Sequence, residues 1–306
     1  MADALTPDQE TAHPVDDQDA ALRRWIYPTP GAVRIGSDEH RRMFCRMLLD
    51  THNPYRPAVI AWPKLAPDAL RRLTSLPIWD IAVQTEGRAS IRVRTYAATV
   101  ADPLLRDAIE LDAAEEARHK VVLSKLVGAY GIALAPEPAY PAPTRPEWAW
   151  MFTGYSECID SFFAFGLFRS AQRSGFFPPE LVDTFEPVIQ EEARHILFFT
   201  NWVAWHRKTM PWWRRPWHSL RVGAIWCLLV WERLSIARGI DADGGTRDSN
   251  FLPANRDAFG GRLHPRDLLE LCLDENDARM NGYDPRLLRP TLVPALARVA
   301  LRFMKK

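Results

Sequence analysis

The pentapeptide Glu-Glu-Ala-Arg-His occurs twice in this chain, at residues 115–119 and at residues 191–195. One copy is typical of a solvated helix surface, but two identical copies 76 positions apart indicate a duplicated unit or one chemical task performed twice. In each copy a Glu precedes a His by three positions, and on a helix two such residues lie side by side on one face. The chain therefore has to fold so that two helices present these faces.

The sequence predicts an all-α fold, because no alternating run of β-branched residues with hairpin turns stands out. Asp102 followed by Pro103 is typical of a helix start, and Gly175 followed by two prolines is typical of a helix end. Pro187 is expected to kink or restart the fourth long helix. The predicted helices cover about residues 77–101, 103–131, 147–174, 179–207, 216–239, 265–280 and 285–303, with a loop rich in Asp and Gly over about 241–262.

Each copy of the motif lies on an apolar stripe of its predicted helix. Steps of three and four residues connect Glu116 and His119 with Leu105, Ile109, Asp112, Leu123 and Leu126. The same steps connect Glu192 and His195 with Phe185, Val188, Phe199 and Trp202. A solvated charged face would lie opposite such a stripe, and burying an unpaired carboxylate costs about several kcal/mol. A metal ion held by all of these groups would offset that cost.

The first and third long helices supply the acids that such a site needs. Glu86 lies 16 residues before the turn near Asp102 and Glu116 lies 14 residues after it, so an antiparallel pair places them at one height. On the third helix both Glu157 and Asp160 lie at the right height, and height alone does not choose between them.

Six side chains are therefore predicted to converge as metal ligands: Glu86, Glu116, His119, Glu157, Glu192 and His195. A Glu-x-x-His from each of two helices and a Glu from each of two others is the arrangement of di-iron and di-manganese four-helix bundles. Two divalent cations would neutralise the four carboxylates. Oxygen and imidazole ligands suit iron or manganese better than zinc at such a carboxylate-bridged site.

With these residues the chain resembles the ferritin-like di-iron carboxylate superfamily over about residues 77–207. It is most similar to the oxygen-activating branch, which includes methane and toluene monooxygenases, the ribonucleotide reductase small subunit and the acyl-carrier-protein desaturases. The stretch CLDENDARMNGYDPRLLRP also resembles uncharacterised bacterial proteins with a ferritin-like domain. The resemblance implies a ferritin-like four-helix bundle with additional C-terminal helices, holding two Fe ions, with Mn as the alternative.

The resemblance also assigns roles around the ligands. An acid precedes each Glu-x-x-His in the monooxygenases and hydrogen-bonds the His of the other motif, which implies that Glu115 pairs with His195 and Glu191 with His119. Ser161 takes the place of a hydroxyl residue that these enzymes carry four positions after the third-helix Glu, so it is a candidate catalytic residue. Asp160 is expected to support the ligands if Glu157 binds the metal.

A radical-generating reductase subunit is disfavoured, because Leu123 stands where that subunit has its radical Tyr. The expected function is a di-iron oxidoreductase that uses O₂ to hydroxylate, desaturate or N-oxygenate a small organic, hydrophobic substrate. An external electron donor, a ferredoxin or a flavin reductase, is implied because no dinucleotide-binding fingerprint such as GxGxxG is present. The alternatives are an iron-handling ferroxidase or storage protein without organic substrate, and a vestigial buried polar network.

Composition limits the remaining possibilities. A net charge of +1 gives no reason to expect nucleic acid. Four scattered cysteines without a CxxC pair argue against a zinc ribbon or a disulfide framework and fit a reducing cytoplasm. The N-terminus lacks the apolar segment of a signal peptide. The expected organisation is a disordered tail over 1–22, a segment packing on the bundle over 23–76, the di-metal bundle over 77–207 and a helical extension over 208–306.

Seven of the twelve tryptophans lie between residues 202 and 231. They are interleaved with Arg207, Lys208, Arg214, Arg215 and Arg221. Such a mixture suits a membrane–water interface, which would make the protein peripheral to a membrane. The favoured alternative is that the fifth helix packs over the bundle while Arg stems cover the rings. The sequence leaves a homo-oligomer open.

Overall fold

The computed structural model describes residues 22–57, 60–76, 78–175, 177–237 and 264–304. Within these ranges the chain is helical, and the prediction of an all-α fold is confirmed there. Extended pairing among the described residues amounts to a single bridge between Trp25 and Tyr283. The helices are α1 (Asp38–Asp50), α2 (Pro67–Thr74), α3 (Trp79–Ala97), α4 (Pro103–Ala129), α5 (Pro146–Ser174), α6 (Pro179–Asp183), α7 (Glu186–Thr209), α8 (Arg215–Ala237), α9 (Pro265–Met280) and α10 (Leu292–Phe303).

The long helices begin and end where local signals place them. Asp102 accepts a hydrogen bond from the Leu105 amide at 2.9 Å, and Pro103 opens α4. Gly175 ends α5 with a φ of 64°, a left-handed conformation that suits glycine. The fourth predicted helix is divided, because the chain restarts at Glu186 with Pro187 in the first turn, where its missing N–H costs nothing.

Other predicted boundaries were wrong. No helix was predicted for α1 or α2, and α10 begins at Leu292, seven residues later than expected. Residues before α10 are held in a turn instead, since Asp284 binds the Arg286 guanidinium and accepts from its backbone amide. The predicted tail lies outside the described residues except for Leu22, which is buried. The predicted loop over 241–262 also lies outside them.

Four helices surround the core that contains the motif copies. Helix α3 packs along α4 and α5, while α7 packs along α5 and contacts α4. Helix α1 contacts both α4 and α7. Above the motifs the core is aromatic, with Trp150 and Trp202 edge to face at 5.6 Å between ring centroids.

Glycines set the close spacing around α5. A Cβ at Gly154 would lie 2.2 Å from the Phe199 ring, so α7 packs against α5 only because no side chain is there. A Cβ at Gly166 would lie 2.9 Å from the Cys272 backbone nitrogen, so α9 also requires a glycine at its contact. These contacts hold α5, one of the helices that line the motif core, between two neighbours.

The outer helix α8 packs on α5 through one side only. Ile225 and Leu229 are fully buried, whereas Trp217 and Trp231 are 71% and 61% exposed. The inner side of this helix therefore packs over the bundle, as predicted. The rings of Trp217 and Trp231, however, are not covered. None of the described helices combines the length and the apolar character needed to cross a bilayer.

Candidate metal centre

Side chains from α3, α4, α5 and α7 meet in the core between the two motif copies. Helix α4 contributes Asp112, Glu116 and His119, all of which are buried. Helix α7 contributes His195, which is buried, and Glu192, whose side chain is 13% exposed. Glu86 enters from α3 with 19% of its side chain exposed.

Their donor atoms form two groups that could each hold a metal ion. The first group is Glu86, Glu116, His119 and Glu192, and the second is Asp112, Glu116 and His195. Within each group the donor atoms lie within 4.8 Å of one another. Glu116 belongs to both groups, so its carboxylate lies between the two positions, where a bridging ligand would be placed.

Both histidines turn the same nitrogen toward this centre. Nδ1 of His119 lies 3.2 Å from Glu192 Oε1 and 3.7 Å from Glu86 Oε2. Nδ1 of His195 lies 2.9 Å from Glu116 Oε1. Neither Nδ1 has a partner with acceptable hydrogen-bond geometry. Both Nδ1 atoms therefore lie close to inner carboxylates with which they could share a metal ion.

The opposite nitrogens are held by the acids that precede the motif Glu residues. Nε2 of His119 lies 2.8 Å from Glu191 Oε2, and Nε2 of His195 lies 2.8 Å from Glu115 Oε2. These are the two crossed pairs that the sequence predicted. Each pair fixes the orientation of an imidazole ring, which is the usual function of a carboxylate behind a ligating His.

The Arg of each copy neutralises these outer acids. Arg194 Nη1 lies 3.1 Å from both carboxylate oxygens of Glu115, and Arg118 Nη2 lies 2.5 Å from Glu191 Oε1. The outer layer of two acids and two guanidinium groups therefore carries no net charge. The two arginines therefore do not balance the charge of the inner carboxylates, which need other cations.

Burial and mutual repulsion raise the pKa of three inner acids, whereas for Glu192 burial is outweighed by the contacts with His119 and the pKa is lowered. Burial raises the pKa of Glu116 well above its usual range, and Glu86, Glu157 and Glu192 raise it further. Burial is also the main cause that raises the pKa of Asp112, to about 6. Raised pKa values are expected where several carboxylates share one buried space without a metal ion.

The two imidazoles respond in the opposite direction. Burial by itself lowers the pKa of His119, but the contacts with Glu191 and Glu192 outweigh it, so the pKa lies well above its usual range. For His195 burial is again outweighed, by Asp112 and Glu115 first. Each Nδ1 is thus a position at which either a proton or a metal ion offsets the carboxylates.

The structure separates the two acids of α5 that the sequence left open. Glu157 belongs to neither donor group, but burial and the neighbouring carboxylate of Asp112 raise the pKa of Glu157 well above its usual range. Its Oε1 is buried and has no hydrogen-bond partner. Asp160 instead binds Arg233 of α8, with 2.5 Å between Nη2 and Oδ2, and its side chain is 49% exposed. The structure therefore does not bring Asp160 to the centre.

Ser161 reaches the centre through a ligand candidate. Its hydroxyl donates to Glu192 Oε2 at 2.9 Å, and Ser161 is buried. The hydroxyl thus restrains one carboxylate of the centre. A catalytic role for Ser161 stays a prediction.

Several residues of the site were missed by the sequence analysis. Asp112 is buried with neither carboxylate oxygen hydrogen-bonded, and its place on the apolar stripe four residues before Glu116 was the available signal. Arg118 and Arg194 were visible as the fourth letter of the repeated motif. No sequence signal pointed to His52, whose Nδ1 lies 2.7 Å from Glu115 Oε1, or to Tyr55, whose hydroxyl lies 3.4 Å from Glu191 Oε2.

Comparisons with protein-family models, with curated proteins and with solved structures give no match to this chain.

Proposed function

We propose that this protein is a ferritin-like di-metal oxidoreductase that holds two Fe ions and uses O₂ to oxidise a small organic substrate. The observation that carries the proposal is the charge imbalance of the buried centre. Its outer acids are matched by Arg118 and Arg194, whereas the inner carboxylates face only two imidazoles. A cluster of this kind is stabilised by metal cations, because unpaired buried charge is costly.

The donors present fit a pair of iron or manganese ions. Six buried donor atoms in the described centre lack a hydrogen-bond partner: both carboxylate oxygens of Asp112, Oε1 of Glu116 and Glu157, and Nδ1 of His119 and His195. Carboxylate oxygen with imidazole nitrogen suits these metals, and no cysteine takes part. Glu86, Glu116, His119 and Glu192 would hold one ion, while Asp112, Glu116, His195 and the neighbouring Glu157 would hold the other.

Asp112 is a donor that was not among the six predicted ligands. It adds a fifth carboxylate to the four that the sequence predicted. Two divalent ions carry one charge too few for five carboxylates, so one acid stays protonated or one ion is trivalent. The centre would therefore be asymmetric, with the additional acid on the His195 side.

The partly exposed side of the site carries Glu86 of α3 and Glu192 of α7. Glu86 and Glu192 keep 19% and 13% of their side chains exposed, whereas His119, His195 and the outer acids are sealed. A substrate and O₂ would approach past these partly exposed carboxylates. The chemistry that a bound, reduced metal pair would supply here is the reduction of O₂ coupled to oxidation of an organic molecule.

The residues of the chain would support this chemistry by position and charge. Glu191 and Glu115 hold the imidazoles so that Nδ1 faces the centre, and Ser161 restrains the Glu192 carboxylate. The sealed His side excludes water from half of the site, which strengthens its electrostatic interactions. Electrons would come from an external ferredoxin or flavin reductase, since the chain has no dinucleotide fingerprint.

Single-turnover oxidation tests the proposal. The protein would be loaded with ferrous iron without oxygen and then mixed with O₂ alone or with O₂ and a panel of small hydrophobic amines, alkenes and acyl compounds. We expect O₂ uptake of about one equivalent per iron pair and an oxidised product from at least one compound class. The matched variants Glu116→Ala and Asp160→Ala should respectively abolish and retain both signals.

The same experiment separates the iron-handling alternative. A ferroxidase or storage protein would continue to consume O₂ as ferrous iron is added beyond about two equivalents per chain, and would accumulate ferric mineral without organic product. That outcome would replace the oxygenase proposal. Absence of O₂ uptake by iron-loaded protein would reject both functions.

A further inference from the structure

An apolar stripe on α8 faces solvent along the length of the helix. Steps of three and four residues connect Trp217, Leu220, Ala224, Leu228, Trp231 and Leu234, all of which are exposed. The large side chains among them are 45–71% exposed. A helix face of this composition is normally buried, so the outer side of α8 is a surface that lacks its partner in the described chain.

The corner between α7 and α8 extends this surface. Trp212 and Trp213 are 75% and 58% exposed, and they lie one turn before the stripe. Together with Trp217 and Trp231 they expose on the order of 500 Å² of aromatic surface, taking about 200 Å² for each ring. We call these four rings and the α8 stripe the tryptophan surface.

The tryptophan surface cannot turn inward. The opposite side of α8 is fixed to α5 by the buried side chains of Ile225 and Leu229. Arg221 Nη1 binds Glu147 Oε1 at 2.9 Å, and Arg233 binds Asp160 nearer the other end of the helix. Because both ends are held by ion pairs, the outer stripe is a permanent feature of the fold.

The charge at the α7–α8 end of the surface is positive, and the next acid along the chain, Glu232, is paired with Arg233. Arg207, Lys208 and Arg214 are exposed in the corner that carries Trp212 and Trp213. Between residues 201 and 231 the chain has five Lys and Arg residues and no Asp or Glu. A partner for this corner therefore has to combine an apolar layer with negative charge.

We propose that the tryptophan surface docks on a membrane that contains anionic phospholipid, with α8 lying in the plane of the membrane. Tryptophan rings are favoured at the boundary between headgroups and acyl chains, and each Lys or Arg near an anionic surface strengthens binding. A second copy of this chain fits less well, because a two-fold interface would place this surface against itself, where the one acid within the span of the stripe, Glu232, is already paired with Arg233.

Vesicle flotation of the full-length protein tests this docking. Vesicles of phosphatidylcholine alone would be compared with vesicles that also contain phosphatidylserine, at low and high salt. The test variants are Trp217→Ala/Trp231→Ala for the apolar stripe and Arg207→Glu/Lys208→Glu for the basic corner. Ile26→Ala and Lys125→Glu are matched controls, because they change an exposed apolar and an exposed basic residue elsewhere.

We expect the wild type and both controls to float with the phosphatidylserine vesicles. Partitioning should fall by about tenfold or more in the tryptophan variant, and by about tenfold in the charge variant on anionic vesicles only. The Glu116→Ala protein should float like the wild type, because docking does not depend on the metal centre.

Two results would overturn the inference. One is failure of the wild type to float with anionic vesicles at low salt. The other is a wild-type dimer that Trp217→Ala/Trp231→Ala dissociates while neither variant changes vesicle binding, which would assign the surface to a second copy. Sedimentation of the same samples without lipid provides that measurement.

Discussion

The two copies of the motif have the same sequence but different surroundings. Arg194 is fully buried, and besides Glu115 it donates to Thr51 Oγ1 at 2.7 Å and to the Leu48 carbonyl at 2.5 Å. Arg118 keeps 14% of its side chain exposed and lies over the Tyr55 ring at 4.2 Å. The chemistry of the copies is therefore repeated, whereas their packing is not.

The N-terminal segment causes this difference. Helix α1 and Thr51 close the side of Glu115 and Arg194, while the irregular residues after α1 bring only Tyr55 and its neighbours over Arg118. A pseudo-symmetric pair of helices is thus covered by one asymmetric segment. The arginine of the second copy is therefore part of the packed core, whereas the arginine of the first copy lies nearer to solvent.

The largest expected difference concerns the two arginines. Arg194→Ala leaves the Glu115 carboxylate buried without its main cation and should lower the free energy of unfolding by about 3–5 kcal/mol. Arg118→Ala should cost about 1–2 kcal/mol, since water can reach Glu191 through the space that the side chain leaves. Denaturant unfolding of both metal-free variants measures this, and equal losses would contradict the asymmetry.

The acids behind the imidazoles should affect metal affinity equally but folding unequally. Glu115→Gln and Glu191→Gln each remove a carboxylate that orients a ligating His, so each should weaken metal binding by about 10–100-fold. Only Glu115→Gln should also lower the stability of the metal-free protein by more than about 2 kcal/mol, because it strands Arg194. Chelator competition and unfolding would be measured on the same preparations. Unchanged metal affinity in both variants would exclude the assigned role.

Substitution of Glu116, which belongs to both donor groups, should change stability and metal binding in opposite directions. Glu116→Gln removes one of several repelling acids and should raise the unfolding free energy of metal-free protein by about 1 kcal/mol. The same variant should lose metal, because the bridging position is neutral. A purely structural polar network predicts the opposite sign in the metal-free protein, where the substitution would be destabilising.

The smallest effect is expected outside both copies. Asp160→Ala breaks the partly exposed ion pair with Arg233 and should cost less than about 1 kcal/mol. It should leave the metal content unchanged, whereas Glu157→Ala should reduce it. Elemental analysis of the two variants decides between the acids of α5, and metal loss from Asp160→Ala would contradict the geometry.

The sequence was informative where function requires a fixed spacing. The Glu-x-x-His repeat, the preceding acids and the helix punctuation at Asp102 and Gly175 were sufficient to place the long helices and the crossed pairs. Local signals of this kind act within a few residues, so they survive in a single sequence.

The rest depends on tertiary contacts that no local pattern encodes. Helix α1 closes one motif copy through long-range contacts, such as that between Leu48 and Arg194, which lie 146 positions apart. Asp112 was visible on the stripe but became a ligand candidate only when its oxygens were found buried and unpaired. The outward direction of the α8 stripe likewise followed only from the packing of that helix on α5.

The metal content of the purified protein tests the central claim most directly. Protein from iron-supplemented cells would be analysed together with Glu116→Ala, Glu192→Ala and the control Asp160→Ala. We predict about two iron or manganese ions per chain in the wild type and the control, and loss of metal from both Glu variants. Metal-free wild type, or the same content in all four proteins, would contradict it and leave the repeated motif as a structural network.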